Sequence, residues 1–248
     1  MIVLAHVSDP HFDADPRNAQ RVDGVFAYIN SLPNPPDAVL VTGDITDHGT
    51  AQEYAQARES LRSDLPILLC PGNHDERGAY RVGLLDEDAS TAPINRVHNV
   101  AGAVVAMADS TLPGEAGGKL APETIDWLRS VLDDAPEDAP IFIAFHHPPT
   151  RLFSPIVDSM QLDDDGALAD LVSSDDRIAA LLCGHAHTSA VTTFAGVPLL
   201  VGSSVSSVLG PDWEGKEQPV IDYEIQPSLA FHVLDDDGRL TTHFRVIA

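Results

Sequence analysis

The segment Gly72-Asn73-His74-Asp75 constrains this chain more than any other, because it directly follows the apolar run 66–70. A short apolar run that ends in Pro-Gly predicts a buried strand that stops abruptly. An amide, an imidazole and a carboxylate then occupy consecutive positions, a composition that suits a metal or phosphate site. Asn, Asp and Gly are also ordinary turn formers, so the segment gains weight only if other strand ends carry the same chemistry.

Other predicted strands end in the same chemistry. The strands predicted over 2–8, 38–41, 141–145 and 179–182 are followed, in that order, by Asp9-Pro10-His11, Thr42-Gly43-Asp44, His146-His147 and Gly184-His185-Ala186-His187. Because ligands bind outside the carboxyl ends of the strands in open α/β sheets, we expect these groups to meet at one edge. Carboxylate, amide and imidazole without thiolate suit Mn, Fe or Zn, and such a cluster can hold two cations about 3.5–4 Å apart.

The fold class follows from the alternation of strands and helices. Apolar residues at helical spacing predict helices over 17–31, from about 50 to 62 and from Pro122 onwards. This alternation predicts a largely parallel sheet. The last two strands are joined by the tight turn Asp236-Asp237-Gly238 and are expected to be antiparallel. A four-layer αββα sandwich of two mixed β-sheets, forming a single domain over 1–248, satisfies both expectations.

Charge limits the partners of the chain. It has 38 acidic and 14 basic residues and a formal net charge of −24, so nucleic acid is not an expected partner. No apolar run approaches the ~18 residues of a membrane span, and no leader-like segment precedes the first strand. We therefore expect no stable membrane insertion and a cytoplasmic protein. Cys70 and Cys183 end apolar runs and are expected to be buried, reduced thiols.

The motifs together resemble one known family. Asp9-Pro10-His11, Gly43-Asp44, Gly72-Asn73-His74-Asp75, His146 and Gly184-His185-Ala186-His187 are similar to the motifs of the calcineurin-like metallophosphoesterases, in the family's order. The resemblance extends from residue 9 to residue 187. Length and the β-hairpin at the end of the chain are most similar to the bacterial class III 3′,5′-cyclic nucleotide phosphodiesterases.

This resemblance implies a dinuclear metal centre and a role for each motif residue. The first cation would be bound by Asp9, His11, Asp44 and His187. The second would be bound by Asn73, His146 and His185, with Asp44 as the bridge. His74 would be catalytic, facing the phosphate and either stabilising its charge or protonating the leaving oxygen. Asp47 and Asp75 would orient imidazole or backbone groups around the ligands.

The resemblance also implies the reaction. A hydroxide held between the two cations would attack the phosphorus of a small phosphodiester opposite the leaving oxygen. For a 3′,5′-cyclic nucleotide such as cAMP, the product would be the 5′-monophosphate. Two alternatives stay open: another substrate at the same site (a glycerophosphodiester, a lipid pyrophosphate or a phosphomonoester), and a non-catalytic phosphate-binding scaffold.

The motifs leave several residues without an assigned role. In the segment 150–165 the apolar residues have no clear periodic spacing, and the segment is predicted to be a cap, a dimer contact or a wall of the substrate site. For residues 153–160, a role in packing is favoured over a role in substrate recognition. The apolar residues of this segment motivate the hypothesis of a homodimer. Asp163-Asp164-Asp165 is predicted to be a solvated turn. His147 is predicted to be structural, because adjacent side chains at a strand end point apart. Five further histidines have no motif partner and are predicted to lie at the surface or to be hydrogen-bonded in the core: His6, His48, His98, His232 and His243.

Overall fold

The computed structural model describes residues 1–163, 166–210, 213 and 221–247. Asp164 and Asp165 of the predicted acidic turn lie outside the described residues. The strands are β1 (Ile2–Val7), β2 (Ala38–Thr42), β3 (Ile67–Cys70), β4 (Arg96–Val100), β5 (Ala103–Met107), β6 (Ile141–Ala144), β7 (Ile178–Cys183), β8 (Ala190–Phe194), β9 (Val197–Val201), β10 (Val208–Leu209), β11 (Ile221–Asp222), β12 (Ser228–Leu234) and β13 (Leu240–Val246).

The strands form two large mixed sheets. The first has the order β13-β12-β1-β2-β3, and the second has the order β4-β5-β6-β7-β9-β8. Pairing is parallel between β1 and β2 and between β2 and β3, while the hairpin of β12 and β13 adds antiparallel strands, as predicted. In the second sheet β5, β6, β7 and β9 are parallel, and β4 and β8 are antiparallel edges.

The edge strands β4 and β8 were not predicted from the sequence. Their residues alternate between half-buried and exposed positions along most of each strand. An edge strand covered on one side lacks the continuous apolar run that revealed the central strands.

The helices cover the outer face of each sheet. They are α1 (Pro16–Asn30), α2 (Ala51–Ser60), α3 (Arg77–Tyr80), α4 (Pro122–Asp134), α5 (Pro155–Asp158) and α6 (Ala167–Ser173), with a π-helical turn over Arg81–Leu85 after α3. The predicted capping box at the start of α2 is present, with the Thr50 side chain accepting from the Glu53 N–H. In the described part of the chain, every helix falls short of the length or apolar character that crossing a membrane requires.

Three apolar clusters confirm the four-layer αββα architecture. One cluster joins α1 and α2 to the first sheet through residues such as Phe26 and Val39. A second joins α4 and α6 to the other sheet, and includes Leu128 and Ile143. The third lies between the two sheets, where Leu40 and Phe142 are buried. Cys70 and Cys183 are buried free thiols, as predicted.

Candidate metal centre

The carboxyl ends of strands from both sheets meet at one rim. Main-chain bonds connect the loops of the first sheet: His11 N–H donates to the Asp44 carbonyl at 2.9 Å. The two sheets are joined there as well, because the His185 N–H lies 3.1 Å from Oδ1 of Asp9. This convergence places the predicted ligands of both sheets at a common edge, as expected for strand ends in an α/β fold.

Positive φ angles are concentrated at this rim. The affected site residues are Asp9 (φ 51°), His11 (φ 45°), Asp44 (φ 47°), His185 (φ 68°) and His187 (φ 50°). Residues other than glycine rarely adopt this left-handed conformation, because it costs free energy. Such strain is retained mainly where the side chain must point in a direction that relaxed backbone does not allow.

The first set of donor atoms comes from Asp9, His11, Asp44 and His187, whose ligand atoms all lie within 4.8 Å of one another. Nε2 of His11 lies 3.0 Å from Nε2 of His187 and 3.4 Å from Oδ2 of Asp44. Nδ1 of His11 faces the Asp47 carboxylate at 2.9 Å, so Nδ1 carries the proton and Nε2 points its lone pair into the cluster. Two imidazole nitrogens and two carboxylates aimed at one point fit a divalent cation.

Electrostatics at the first set favour positive charge. Burial alone would lower the pKa of His11, but the hydrogen bond that it donates to Asp47 and the charges of Asp44 and Asp9 raise the pKa above the ordinary value. The same negative field attracts a metal cation. Where His11 is cationic, a metal ion would have to displace the proton on Nε2, whereas the proton on Nδ1 stays hydrogen-bonded to Asp47. Metal affinity would therefore depend on pH.

The second set of donor atoms surrounds Nε2 of His146. That nitrogen lies 3.2 Å from Oδ1 of Asn73, 3.2 Å from Nδ1 of His185 and 3.3 Å from Oδ2 of Asp44. Burial opposes protonation of His146, yet the Asp44 carboxylate raises its pKa to about 9. Among the described residues, Nε2 of His185 is buried without a hydrogen-bond partner, and burial lowers the pKa of His185 to about 3. An unprotonated imidazole beside an amide oxygen and a carboxylate fits a second cation.

Glycines permit these close approaches. A Cβ on Gly72 would lie 2.2 Å from Oδ1 of Asp44, and a Cβ on Gly43 would lie 2.3 Å from Nδ1 of His146. Gly43 also has a φ of +88°, which side chains rarely tolerate. The glycines of the Gly43-Asp44 and Gly72-Asn73-His74-Asp75 motifs therefore act by leaving space for the side chains of Asp44 and His146.

His74 and the two predicted orienting carboxylates lie beside the donor sets. Nδ1 of His74 donates to the Asp47 carbonyl at 2.8 Å, which leaves Nε2 for a bound molecule. Asp47 holds His11 through its carboxylate, as described above. Asp75 accepts hydrogen bonds from the Gly72, Ile45 and Thr46 N–H groups at 2.9 to 3.1 Å, and so fixes the loops that carry Asp44 and Asn73.

His147 differs from its prediction in one respect. The expectation that the rings of His146 and His147 point apart is wrong, because their centroids are 4.8 Å apart. Nδ1 of His147 pairs with Oγ of Ser110 at 2.8 Å, whereas Nε2 is buried and has no hydrogen-bond partner within the described part of the chain. His146, His147 and His185 also form a group whose ligand atoms lie within 4.8 Å of one another.

A cavity of about 390 Å³ opens next to the donor sets and His74. Its polar side includes Asn18, Ser206 and Ser207. The other side is an apolar wall formed by Ile156, Met160, Leu209, Ile221 and Tyr223. Of the alternatives for 150–165, the structure thus supports a wall of the cavity. Asn18 and Tyr223 belong to no motif, and no local pattern in the sequence singles them out.

Arginines from α1 hold part of the apolar wall in place. Arg17 donates to the carbonyls of Ser206 and Tyr223, and its guanidinium lies 5.4 Å from the centre of the Tyr223 ring. Arg21 donates to the Val205 and Ile225 carbonyls. Because both guanidinium groups are engaged by backbone carbonyls, they act mainly on the shape of the cavity.

The two mixed sheets and the carboxylate–imidazole rim define a metal-dependent phosphoric ester hydrolase. The chain belongs to the calcineurin-like phosphoesterase family, whose model matches residues 2–189. Membership confirms the predicted family and class of enzyme. Members of this family use a dinuclear metal centre, which agrees with the donor sets described above.

Individual relatives carry more specific names. A probable cyclic nucleotide phosphodiesterase of Rhodococcus erythropolis is 35% identical over 212 residues, covering 81% of this chain and 70% of that protein. A glycerophosphodiester phosphodiesterase of Enterobacter lignolyticus is 33% identical over 206 residues, covering 78% of this chain and 73% of that protein. The crystal structure of a dimetal phosphatase from Danio rerio is 11% identical with a TM-score of 0.68, covers 100% of this chain and 99% of that one, and shows the shared fold.

Proposed function

We propose that this protein hydrolyses 3′,5′-cyclic nucleotides, such as cAMP, to 5′-monophosphates at a dinuclear metal centre. The observation that carries the proposal is the position of Asp44, whose Oδ2 lies 3.4 Å from Nε2 of His11 and 3.3 Å from Nε2 of His146. One carboxylate oxygen is thereby within reach of both donor sets. The sets open onto a cavity whose volume falls in the range of about 300–1,000 Å³ that small-molecule sites occupy.

The ligands of the two cations follow from the donor sets. Asp9, His11, Asp44 and His187 would hold the first cation. Asp44, Asn73, His146 and His185 would hold the second cation. When bound, such a pair lowers the pKa of water and stabilises the negative charge that develops on the phosphoryl oxygens. Mn, Fe or Zn suits these oxygen and imidazole ligands.

Residues of the chain supply the remaining requirements. His74 holds a proton on Nε2 when it is cationic, and in our proposal it donates that proton to the O3′ atom as the P–O3′ bond breaks. Asp47 keeps the ring in place through its carbonyl, 2.8 Å from Nδ1. The oxygen of water becomes the new oxygen of the 5′-monophosphate, and the ribose recovers its 3′-hydroxyl.

The apolar wall favours a cyclic nucleotide over a glycerophosphodiester. A nucleobase offers a flat apolar face that can stack on Tyr223 and contact Ile156 and Met160. Glycerol offers hydroxyl groups, which would leave these side chains without a matching partner. The relative named as a glycerophosphodiester phosphodiesterase nevertheless makes that substrate class the second candidate.

Compartment and assembly are also proposed. The buried free thiols Cys70 and Cys183 fit a reducing compartment, and we propose the cytoplasm. Phe153, with 68% of its surface exposed, supports the proposal of a homodimer through the segment next to the cavity. Light scattering of the dilute protein at twice the 26.5 kDa chain mass would support the dimer, and monomer mass would refute it.

One experiment tests the proposed function directly. The purified protein is analysed for bound metals and then assayed with cAMP, cGMP, glycerophosphoethanolamine and p-nitrophenyl phosphate. We expect about two metal ions per chain and the highest kcat/KM with a cyclic nucleotide. Turnover of the phosphomonoester alone would refute a cyclic nucleotide phosphodiesterase, and a higher kcat/KM with glycerophosphoethanolamine would favour the second candidate.

A further inference from the structure

A row of polar side chains crosses four adjacent strands of the first sheet. Thr242 on β13, His232 on β12, His6 on β1 and Thr42 on β2 follow the spatial order of these strands. Oγ1 of Thr242 lies 2.9 Å from Nδ1 of His232, and Nε2 of His232 lies 3.0 Å from Nδ1 of His6. Nε2 of His6 lies 2.8 Å from Oγ1 of Thr42. Each strand thus contributes one hydrogen-bonding side chain to a continuous row.

The row ends at the backbone carbonyl that holds a proposed metal ligand. The Thr42 hydroxyl donates to Oγ of Ser8 at 2.9 Å, and Ser8 donates to the Thr42 carbonyl at 3.0 Å. The same carbonyl accepts a hydrogen bond from Nδ1 of His146 at 2.7 Å. The imidazole of His146 belongs to the second sheet, so this carbonyl connects the row to the other half of the molecule.

Only one set of donor directions satisfies every contact. The Thr42 carbonyl can only accept, so Ser8 donates to it and must itself accept from the Thr42 hydroxyl. That hydroxyl therefore accepts from Nε2–H of His6. A neutral His6 has a single N–H, so its Nδ1 accepts from Nε2–H of His232. Nδ1 of His232 then accepts from the hydroxyl of Thr242.

Burial keeps both histidines of the row neutral. His6 is fully buried, and burial and then the charge of His232 lower its pKa well below the ordinary value. Burial also lowers the pKa of His232 to about 3. With both rings neutral, every hydrogen bond in the row is donated in the same direction, from β13 towards the Thr42 carbonyl. Hydrogen bonds in such a chain strengthen one another cooperatively.

The row lies in an apolar core, where polar side chains that served only for packing would cost free energy. His6 and Thr42 point to the same side as Leu4 and Leu40, into the apolar core between the two sheets. A buried polar group costs free energy unless it is hydrogen-bonded, whereas an apolar residue would cost nothing there. Gly202 makes room for the row, because a Cβ at that position would lie 2.7 Å from Nε2 of His6.

We propose that His6 and His232 are positioning residues for the metal ligand His146. Together with Thr242, Thr42 and Ser8 they fix the Thr42 carbonyl, which sets the tautomer and orientation of the His146 imidazole. Nδ1 of His146 must carry a proton to donate to that carbonyl, so Nε2 is the nitrogen left for the second cation. The proposal rests on the proposed metal centre.

The row positions His146 and does not conduct protons to it. Ser8 and His146 both donate to the Thr42 carbonyl, so the donor direction reverses at this oxygen. A proton moving inward from Thr242 would reach an amide carbonyl and stop. Loss of the row is therefore expected to change the binding of the second cation, through the freedom of the His146 ring.

Thr42→Val tests the proposal, because valine keeps the shape of threonine but lacks the hydroxyl. Equilibrium dialysis of the metal-free protein with Mn²⁺ or Zn²⁺ gives the dissociation constants of the two sites. We expect one constant to increase by about tenfold and the other to stay unchanged, since loss of groups that orient metal ligands weakens affinity on the order of 10–100-fold. Thr42→Ser restores a hydroxyl and should restore the wild-type constant.

Two further variants separate positioning from general destabilisation. Thr241→Val replaces the neighbouring exposed threonine on β13 and should leave both constants unchanged. His232→Gln retains one donor and one acceptor and should weaken the second site less than His232→Leu. Two unchanged constants in a folded Thr42→Val variant would overturn the proposal, as would equal weakening by Thr42→Val and Thr42→Ser.

Nitrogen NMR of histidine-labelled protein provides a readout independent of activity. Two-bond ¹H–¹⁵N correlations report which nitrogen of each imidazole carries the proton. We expect the Nε2–H tautomer for His6 and His232 in the metal-free protein, and Nδ1–H for His146 in the Zn²⁺-loaded protein. An Nδ1–H tautomer at His6 would contradict the donor directions assigned to the row and would overturn the proposal. If Asp44→Ala retained both cations, the proposed metal centre itself would fail, whatever the result for Thr42→Val.

Discussion

Oδ2 of Asp44 lies 3.3 Å from Nε2 of His146, which joins the end of β2 in the first sheet to the end of β6 in the second. The second donor set therefore exists only when the two sheets are packed together. The cost of bringing a carboxylate and an imidazole into a buried rim is offset by their mutual attraction and, in our proposal, by bound cations.

Asp44→Ala tests the shared ligand. Since Oδ2 of Asp44 reaches both donor sets, we expect loss of most bound metal and a decrease in kcat on the order of 10³-fold or more, as metals supply several kcal/mol of charge stabilisation. Elemental analysis and phosphodiesterase assays measure the two effects. Asp23→Ala, an exposed change on α1, is the control. Wild-type metal content with a normal rate would contradict the assignment of Asp44.

His74→Ala tests the proton donor. We expect kcat for cAMP, whose leaving alkoxide needs a proton, to decrease by about 10²–10⁴-fold. A diester with a p-nitrophenolate leaving group needs little protonation and should lose far less. The comparison of kcat for the two substrates separates proton donation from metal loss. An equal decrease in kcat with both substrates would refute the role of His74 as an acid. His243→Ala on β13 serves as the control.

Tyr223→Ala tests the apolar wall. Stacking of a base on an aromatic ring contributes about 1–3 kcal/mol, so we expect KM for cAMP to increase roughly 5- to 150-fold with kcat little changed. The KM for glycerophosphoethanolamine, which has no base, should stay near the wild-type value. Steady-state kinetics with both substrates checks this prediction, which fails if the two KM values rise together.

Stability in acid should depend on His232. Because burial lowers its pKa from 6.5 to about 3, the unfolded chain binds more protons than the folded protein between these pH values. The contribution of His232 is therefore fully present above pH 6.5 and decreases as the pH falls, by about 1.4 kcal/mol per pH unit.

His232→Gln removes this titration and retains a donor and an acceptor. Urea unfolding of the metal-free proteins at pH 6.5, 5.5 and 4.5 gives the free energy of unfolding as a function of pH. We expect the slope of this free energy against pH to be smaller for the variant by about 1.4 kcal/mol per pH unit. The difference between the two proteins isolates His232 from the other buried histidines. Parallel stability curves would show that His232 is not buried as a neutral ring.

Gly72→Ala should damage the metal centre without unfolding the protein. The new Cβ would lie 2.2 Å from both the backbone nitrogen and Oδ1 of Asp44, so the carboxylate and the loop that carries it must both shift. We expect metal content below the wild-type value, with a far-ultraviolet circular dichroism spectrum that is unchanged. Gly24→Ala, where a Cβ would meet no atom of the described residues within 4 Å, is the matched control. Full metal occupancy in Gly72→Ala would show that the Asp44 carboxylate tolerates the extra atom.

Local chemistry made much of the site predictable. Apolar runs such as 38–41 revealed the buried central strands, and the polar residues after them indicated which rim would carry the ligands. The edge strands β4 and β8 were missed because two of the five residues in each strand are exposed, which interrupts the apolar run. For the segment 150–165 the sequence predicted a cavity wall only as one of several alternatives, and the tertiary structure was needed to place Ile156 and Met160 on that wall.

The sequence by itself determined the layered α/β class, the family and the kinds of side chain at the rim, because these depend on patterns within a few residues. Tertiary structure decided which nitrogen faces which oxygen, how Asp44 is shared and what lines the cavity. It also placed His6 beside His232, which are 226 positions apart in the chain. Pairing of that kind depends on the order and register of strands, which no local pattern of residues specifies.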